Sequence, residues 1–156
     1  MNTNIGLSDK QRQSVAKMLD TILADEFLLY VKTRGFHWNV VGPDFGELHT
    51  FFEQQYEALD EIVDEVAERA RALDAPAAGS MRAFMQAATL EEVKEDRLDA
   101  RAMLLALLND HESLIREIRT DVDAADELGD AGTTDFLTGL MERHEKTAWM
   151  LRSYLR

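Results

Sequence analysis

Four side chains in one predicted helix combine the donor groups that bind a transition metal: His49, Glu53, Asp64 and Glu68. At about 100° per residue, the last three lie near 40°, 60° and 100° from His49, so all four share one helix face. The members of each pair, His49 with Glu53 and Asp64 with Glu68, are four residues apart and can reach a common ion. Imidazole with carboxylate is the ligand mix expected for iron, and open coordination positions would suit oxidant chemistry.

The two pairs cannot share an ion within one chain. Along the helix, His49 and Asp64 are separated by about 22 Å of rise, whereas a metal–ligand bond is about 2 Å. If the pairs cooperate, they do so between two chains related by a two-fold axis that crosses the helix. The four positions average between residues 58 and 59, which predicts the axis there, and an isologous dimer would carry two identical sites.

His37 is a further candidate ligand, because a helix–turn–helix hairpin could bring it close to His49. A simpler interpretation also fits these residues. Acidic helix faces are usually just solvated, and a histidine near a turn is more often a cap or a surface residue than a ligand. The acidic residues concerned are Glu57, Asp60, Glu61, Asp64, Glu65 and Glu68.

Apolar periodicity predicts an all-α chain with four long amphipathic helices. Capping boxes are predicted at Ser8 with Gln11, at Asp44 with Glu47, and at Thr89 with Glu92. The long connection between the second and third long helices suggests a ferritin-like four-helix bundle with a short extra helix in that connection, although a plain up-down bundle fits the pattern too. The predicted helices run from about Ser8 to residues 35–37, from Asp44 to Leu73, near Met81–Gln86, from Thr89 to a break at Asp123–Gly132, and from about Thr133 to Leu155.

Length and composition narrow the class of protein. The 156 residues fit one domain, 1–156, with residues 1–7 as a short non-basic tail. The absence of cysteine excludes disulfides and thiolate metal sites, and the net charge of −13 repels nucleic acid and attracts cations. We expect a cytoplasmic protein without a membrane partner, because no apolar run reaches roughly 18 residues and the N-terminus does not resemble a signal peptide.

A family resemblance is carried by residues 37–69. This stretch resembles the signature of the Dps family, the DNA-binding proteins from starved cells, which are mini-ferritins, and the predicted helix layout agrees over nearly the whole chain. The matching residues are His37-Trp38-Asn39-Val40, Gly42, Phe45, Leu48-His49, Phe52-Glu53, Tyr56 and Asp64-Glu65-Val66-Ala67-Glu68-Arg69.

The resemblance implies a set of ligands. His37 and His49 match two iron-binding histidines twelve positions apart, and Glu53 matches a carboxylate that is often Asp in the family, so it departs mildly from the pattern. Asp64 and Glu68 match ligands supplied by the partner subunit. Trp38 matches a tryptophan near the family's centre, where it would intercept oxidising radicals, and simple packing is the other explanation for it.

The resemblance also implies a mechanism and an assembly. Two iron(II) ions, or one tight and one weak, would bind at each inter-subunit site of a homo-oligomer, a twelve-subunit shell. The ferroxidase would use hydrogen peroxide without releasing hydroxyl radical, and ferric mineral would be stored inside the shell, giving protection from oxidative stress. Whether oxygen is used instead, and whether zinc or manganese competes with iron, stays open.

An acidic segment follows the third long helix. In the family, acidic residues at this place line pores that admit iron, and Asp126, Asp130 and Asp135 match best in position. Clustered acids are also typical of an ordinary exposed turn. The other two histidines, His111 and His144, lie near core stripes, and we predict them to be packed and hydrogen-bonded rather than ligands.

Three other functions would suit an acidic helical bundle. A di-iron centre inside one bundle needs Glu-x-x-His on two helices, and no Glu in this chain precedes a His by three residues. DNA compaction usually depends on lysine-rich tails, whereas the seven residues before the first predicted helix are non-basic, so DNA binding is expected to be weak unless divalent cations bridge it. A metal-free acidic structural bundle would leave the histidine and carboxylate register unexplained.

Overall fold

The computed structural model describes residues 3–93 and 98–156, and these residues contain five α-helices and no strand. The predicted all-α architecture, with a short helix in the long connection, is confirmed. Helices α1 and α2 pack along each other, as do α4 and α5, and α3 packs against α1. The helices are α1 (Asp9–Asn39), α2 (Phe45–Ala72), α3 (Met81–Ala87), α4 (Ala100–Glu127) and α5 (Ala131–Leu155).

One apolar core lies between the four long helices. Each helix contributes side chains spaced three or four residues apart, which is the spacing that puts them on one face. Fully buried examples are Leu19 and Ile22 of α1, Phe52 of α2, Leu107 of α4 and Leu137 of α5. Burying such a side chain contributes about 1.5–3 kcal/mol, so this core holds rigid the helix faces that carry the polar residues.

The capping predictions have different outcomes at α1 and α2. The capping box of Ser8 with Gln11 is confirmed. The box predicted at Asp44 is wrong, because the Asp44 side chain makes no cap hydrogen bond and its backbone, at φ −96° and ψ 18°, is not extended as a cap requires. Its predicted partner Glu47 instead accepts a 3.1 Å hydrogen bond from the Tyr154 hydroxyl.

The third long helix begins later than predicted. The described residues before position 94 are not helical after α3, and Asp99 caps α4 by accepting a 2.7 Å hydrogen bond from Ala102 N. Thr89 does not cap a helix, because its backbone N–H and its hydroxyl donate to the buried Asp25. The part of the prediction that falls on residues 94–97 lies outside the described residues.

The break predicted at Asp123–Gly132 is also too early. Helix α4 continues to Glu127, because Ala125 is fully buried while Asp123 and Asp126 point to solvent and do not disturb the packing. The chain turns instead at Gly129, whose φ of +74° is a conformation that glycine adopts without strain.

No described helix has an apolar stretch long enough to cross a bilayer.

Candidate metal centre

The α1–α2 hairpin brings His37 and His49 into contact. Their rings stack with centroids 3.8 Å apart and planes 20° apart. The Nδ1 atom of His37 lies 2.8 Å from the carbonyl oxygen of His49, and Nδ1 of His49 lies 2.9 Å from the carbonyl oxygen of His37. A carbonyl only accepts, so each Nδ1 donates a proton, which leaves Nε2 as the ring atom whose lone pair a metal ion would use.

Glu53 and Tyr56 complete this half of the candidate site. Glu53 lies one turn after His49 and is half-buried. The Tyr56 hydroxyl donates to Glu53 Oε1 at 3.4 Å, and the edge of the Tyr56 ring meets His37 with a centroid distance of 5.2 Å. Desolvation, followed by the negative charge of Glu53, raises the pKa of Tyr56, so the phenol keeps its proton at neutral pH and remains a donor to Glu53.

The Arg34 guanidinium borders the same cluster. Its central carbon lies 4.7 Å from the centroid of Tyr56 and 5.7 Å from the centroids of Tyr30 and Trp38. These distances fall within the range of cation–π attraction. Trp38 itself is 67% exposed, so in the single chain it lies at the rim of the cluster, against Arg34.

Asp64 and Glu68 lie further along α2, on the same side as His49, and both are exposed. Because the intervening helix rises by about 22 Å, one chain does not bring them to the histidine pair. Within the described residues, no three side chains of the His, Asp and Glu types are placed to hold one ion. The ligand set predicted from the sequence is therefore divided into two halves, and its shared use by two chains stays a prediction.

The acidic residues predicted between α4 and α5 also lie in two different environments. Asp126 and Asp135 are exposed, and their role in a pore stays a prediction. Asp130 is buried and caps α5, accepting from Thr133 N at 3.0 Å and pairing with Arg69 at 2.9 Å. Desolvation by itself would raise the pKa of Asp130, but the bonds from Thr133 and the charge of Arg69 outweigh it and lower that pKa. The geometry favours a structural role for this carboxylate.

Replacing Asp130 with alanine should destabilise the fold. The change removes a helix cap and leaves the Arg69 guanidinium without its carboxylate partner, so we expect the free energy of unfolding to fall by about 2–3 kcal/mol. Denaturant unfolding measures the effect, with Asp126→Ala as the matched control, which should change stability by less than about 0.5 kcal/mol. Equal effects for the two variants would contradict the structural role of Asp130.

The centre of the bundle contains a row of hydrogen-bonded polar side chains, and one of them, Glu26, was not predicted from the sequence. His144 Nε2 lies 2.6 Å from Glu26 Oε1, and His144 Nδ1 lies 2.8 Å from His111 Nδ1. All three side chains are buried, and Glu26 Oε2 has no hydrogen-bond partner among the described residues. The prediction that both histidines are packed and hydrogen-bonded is confirmed, and the acidic pair Asp25-Glu26 inside an apolar stretch of α1 was the available signal for Glu26.

The geometry of this chain argues against a metal ion held by all three residues. Glu26 and His111 bond to opposite edges of the His144 ring, so they cannot approach one ion from the same side. Burial, followed by the neighbouring charge of His144, lowers the pKa of His111 well below 6.5. His111 is therefore a neutral acceptor or donor within the core.

The lowered pKa of His111 predicts a loss of stability in acid. The unfolded chain takes up a proton at His111 near pH 6.5 and the folded chain does not. The contribution of His111 to the free energy of unfolding is therefore fully present above that pH and is lost as the pH falls below it. The slope from this one group approaches about 1.4 kcal/mol per pH unit. Denaturant unfolding of wild type and His111→Gln from about pH 5 to 7.5 checks this. The variant should lose less stability on acidification, and an unchanged slope would contradict the assignment.

Comparisons with known proteins agree with this architecture. The model of the ferritin-like domain family matches residues 16–156. An uncharacterised low-temperature-induced protein of Nostoc sp. is 53% identical over 153 residues, covering 97% of this chain and 86% of the relative. DNA protection during starvation protein 2 of Bacillus anthracis is 32% identical, covering 92% of this chain and 97% of that protein.

A solved structure shows the same fold. The Dps protein of Vibrio cholerae O1, described as a member of a broad superfamily of ferritin-like diiron-carboxylate proteins, superposes with a TM-score of 0.94. It is 36% identical, and the match covers 100% of this chain and 98% of that one. The similarity therefore extends over all five helices, including α3 in the long connection.

Proposed function

The chain belongs to the ferritin-like proteins of the Dps family, and from this membership we propose that it stores iron and protects against oxidative stress by acting as a ferroxidase. Its substrates are iron(II) and hydrogen peroxide, with oxygen as the alternative oxidant. The ligands are His37, His49 and Glu53 of one subunit with Asp64 and Glu68 of another.

The observation that carries this proposal is the reciprocal hydrogen bonding of His37 and His49. A metal-binding histidine usually donates its second ring N–H to a carbonyl or carboxylate, which sets the tautomer and the ring orientation. Here each ring donates from Nδ1 to the backbone carbonyl of the other histidine, so Nε2 is set as the metal-binding atom of both rings before an ion binds. Surface histidines in a solvated helix face would not need this arrangement.

A two-fold contact through α2 would complete the site. With the axis near residues 58–59, Glu53 would lie opposite Asp64 of a second subunit, and His49 opposite its Glu68, because each of these pairs has that midpoint. An apolar depression formed by residues including Leu23, Phe27, Val63 and Ala67 flanks Asp64, and it offers surface that a partner could cover. We therefore propose a homo-oligomer, in the form of a twelve-subunit shell, with about two ions at each shared site.

The residues present suit the oxidation of iron. Imidazole nitrogen binds iron(II), while carboxylate oxygens are hard donors that favour the higher charge of iron(III). Ferric ions would then move to the acidic face of α2, where Glu57, Asp60 and Glu61 are exposed, and mineral would grow there. The net charge of −13 attracts the cation and disfavours direct binding to DNA.

The test is to add iron(II) to the purified protein without oxygen and then add peroxide or oxygen. We expect iron(II) to bind at the candidate sites, to be oxidised faster with peroxide than in buffer alone, and to remain with the protein as a ferric product during gel filtration. Binding and oxidation no different from those of a protein-free control would contradict the proposal and favour the metal-free structural bundle.

A further inference from the structure

The buried hydrogen bonds at the bundle centre decide which nitrogen of His111 carries a proton. A charge in this core is costly unless an opposite charge accompanies it. If Glu26 is ionised, His144 has to be the cation beside it, and if Glu26 is protonated, its O–H donates to Nε2 of His144. Both arrangements leave a proton on Nδ1 of His144, which donates to Nδ1 of His111 at 2.8 Å. Because its pKa is lowered, His111 is itself neutral at pH 7, so its own proton lies on Nε2.

The N–H group at Nε2 of His111 opens into a cavity. His111 is only 3% exposed, and this nitrogen bonds to no described residue, yet it is not sealed from solvent. The space that it meets is a cavity of about 300 Å³ between α2 and α5, which His111 lines. A buried donor without a protein partner costs free energy, so this N–H group is suited to bind a ligand.

Further nitrogen donors line the same cavity. The Thr147 hydroxyl donates to Oε1 of Gln55 at 3.1 Å, which leaves the amide nitrogen of Gln55 available as a donor. Arg143 and Lys146 add two cationic groups to the lining, and a 2.7 Å bond to Glu65 orients Arg143. Imidazole, amide, guanidinium and ammonium groups together match a ligand that offers several acceptor oxygens.

We propose that this cavity binds inorganic phosphate in its monohydrogen form, with phosphate oxygens accepting from His111, Gln55 and Arg143. Glu61 explains the choice among small oxyanions, because it is the one acidic side chain among the described residues that line the cavity. Its carboxylate would repel an anion that has no proton, such as sulfate, whereas monohydrogen phosphate can donate its O–H to that carboxylate.

The position of the cavity indicates a use for the anion. Glu61 also belongs to the exposed acidic face of α2 on which mineral growth is proposed. Ferric iron is a hard cation that binds phosphate oxygens, so phosphate held in the cavity would be available to the mineral. This use rests on the proposed function, whereas the binding of phosphate requires no iron.

Isothermal titration calorimetry of the iron-free protein with sodium phosphate tests the site. We expect saturable binding in wild type, weaker binding of sulfate, and at least about a tenfold rise in the phosphate dissociation constant of Gln55→Glu. That variant keeps Oε1 as the acceptor for Thr147 and replaces the donor nitrogen with an anionic oxygen. Gln54→Glu is the matched control, because it adds the same charge at an exposed neighbouring residue that does not line the cavity.

A second pair of variants tests the cationic side of the cavity. Arg143→Gln should weaken phosphate binding by about tenfold, whereas Arg119→Gln should leave it unchanged. The two arginines are matched, because each side chain is more than half exposed and bonds to one glutamate, Arg143 to Glu65 at 2.7 Å and Arg119 to Glu145 at 2.6 Å. Circular dichroism checks that every variant keeps its helical fold.

The possible results separate the phosphate site from the ferroxidase proposal. The site is wrong if wild type binds no phosphate, or if Gln55→Glu and Arg143→Gln bind it as wild type does. Equal losses in the two matched controls would also overturn the site, because overall charge and not the cavity would then determine binding. Equal affinity for sulfate would overturn the choice of phosphate. Because every titration is made without iron, a failure of iron oxidation would leave the phosphate site standing.

Discussion

Replacing His37 and His49 together with alanine should abolish rapid oxidation of iron by peroxide, and so should replacing Asp64 and Glu68 together. Loss of a residue that merely supports a metal ligand costs 10–100-fold, so loss of two ligands should slow the reaction by about 100-fold or more. Stopped-flow absorbance of the ferric product measures the rate. The variant Glu142→Ala/Glu145→Ala is the matched control, because it removes two exposed carboxylates three residues apart on α5, a helix that carries none of the proposed ligands.

Hybrids of the two inactive variants test whether the site is shared. In a dimer that contains one chain of each variant, one of the two sites combines wild-type histidines with wild-type carboxylates, and the other site has neither. Random mixing during co-expression makes half of the dimers mixed, so about one quarter of the sites should recover. If hybrids stay inactive while both parents assemble normally, the two halves do not meet across subunits as proposed.

Replacing Glu26 with alanine should have the largest effect on stability. Glu26 and His144 are at most 1% exposed and lie 2.6 Å apart, and removing one member of a buried pair typically costs about 3–5 kcal/mol. The physical reason is that Nε2 of His144 would lose its carboxylate partner in a place that water does not reach. Denaturant unfolding at one fixed protein concentration measures the loss, because assembly makes stability depend on concentration.

An exposed ion pair provides the control for Glu26. Glu145 bonds to Arg119 at 2.6 Å, as short as the buried bond, but these side chains are 45% and 59% exposed. Glu145→Ala should therefore lower the free energy of unfolding by no more than about 1 kcal/mol. Similar losses for Glu26→Ala and Glu145→Ala would show that burial does not strengthen the contribution of Glu26. Glu26→Gln, which keeps the shape and one acceptor, should fall between them.

Local patterns in the sequence predicted much of the fold. The helical periodicity anticipated four long helices, and Ser8 and Gln11 correctly marked the start of α1, because a capping box depends only on residues three apart. The predictions at Asp44 and Thr89 failed for a common reason. In each case a residue of the predicted box forms a tertiary hydrogen bond instead of a capping bond: Glu47 bonds to Tyr154, and Thr89 bonds to the buried Asp25. No local pattern contains those distant partners.

The candidate site was likewise predicted in part from the sequence and decided in part by the tertiary structure. Spacing along α2 was enough to place His49, Glu53, Asp64 and Glu68 on one helix face and to separate them into two halves, because a regular helix sets angle and rise by residue number alone. Only the tertiary structure decided that His37 and His49 fix each other's tautomers, that Tyr56 bridges His37 and Glu53, and that Asp130 is bound to Arg69. These contacts join side chains whose meeting depends on how helices pack, and a helical repeat in the sequence carries no information about that packing.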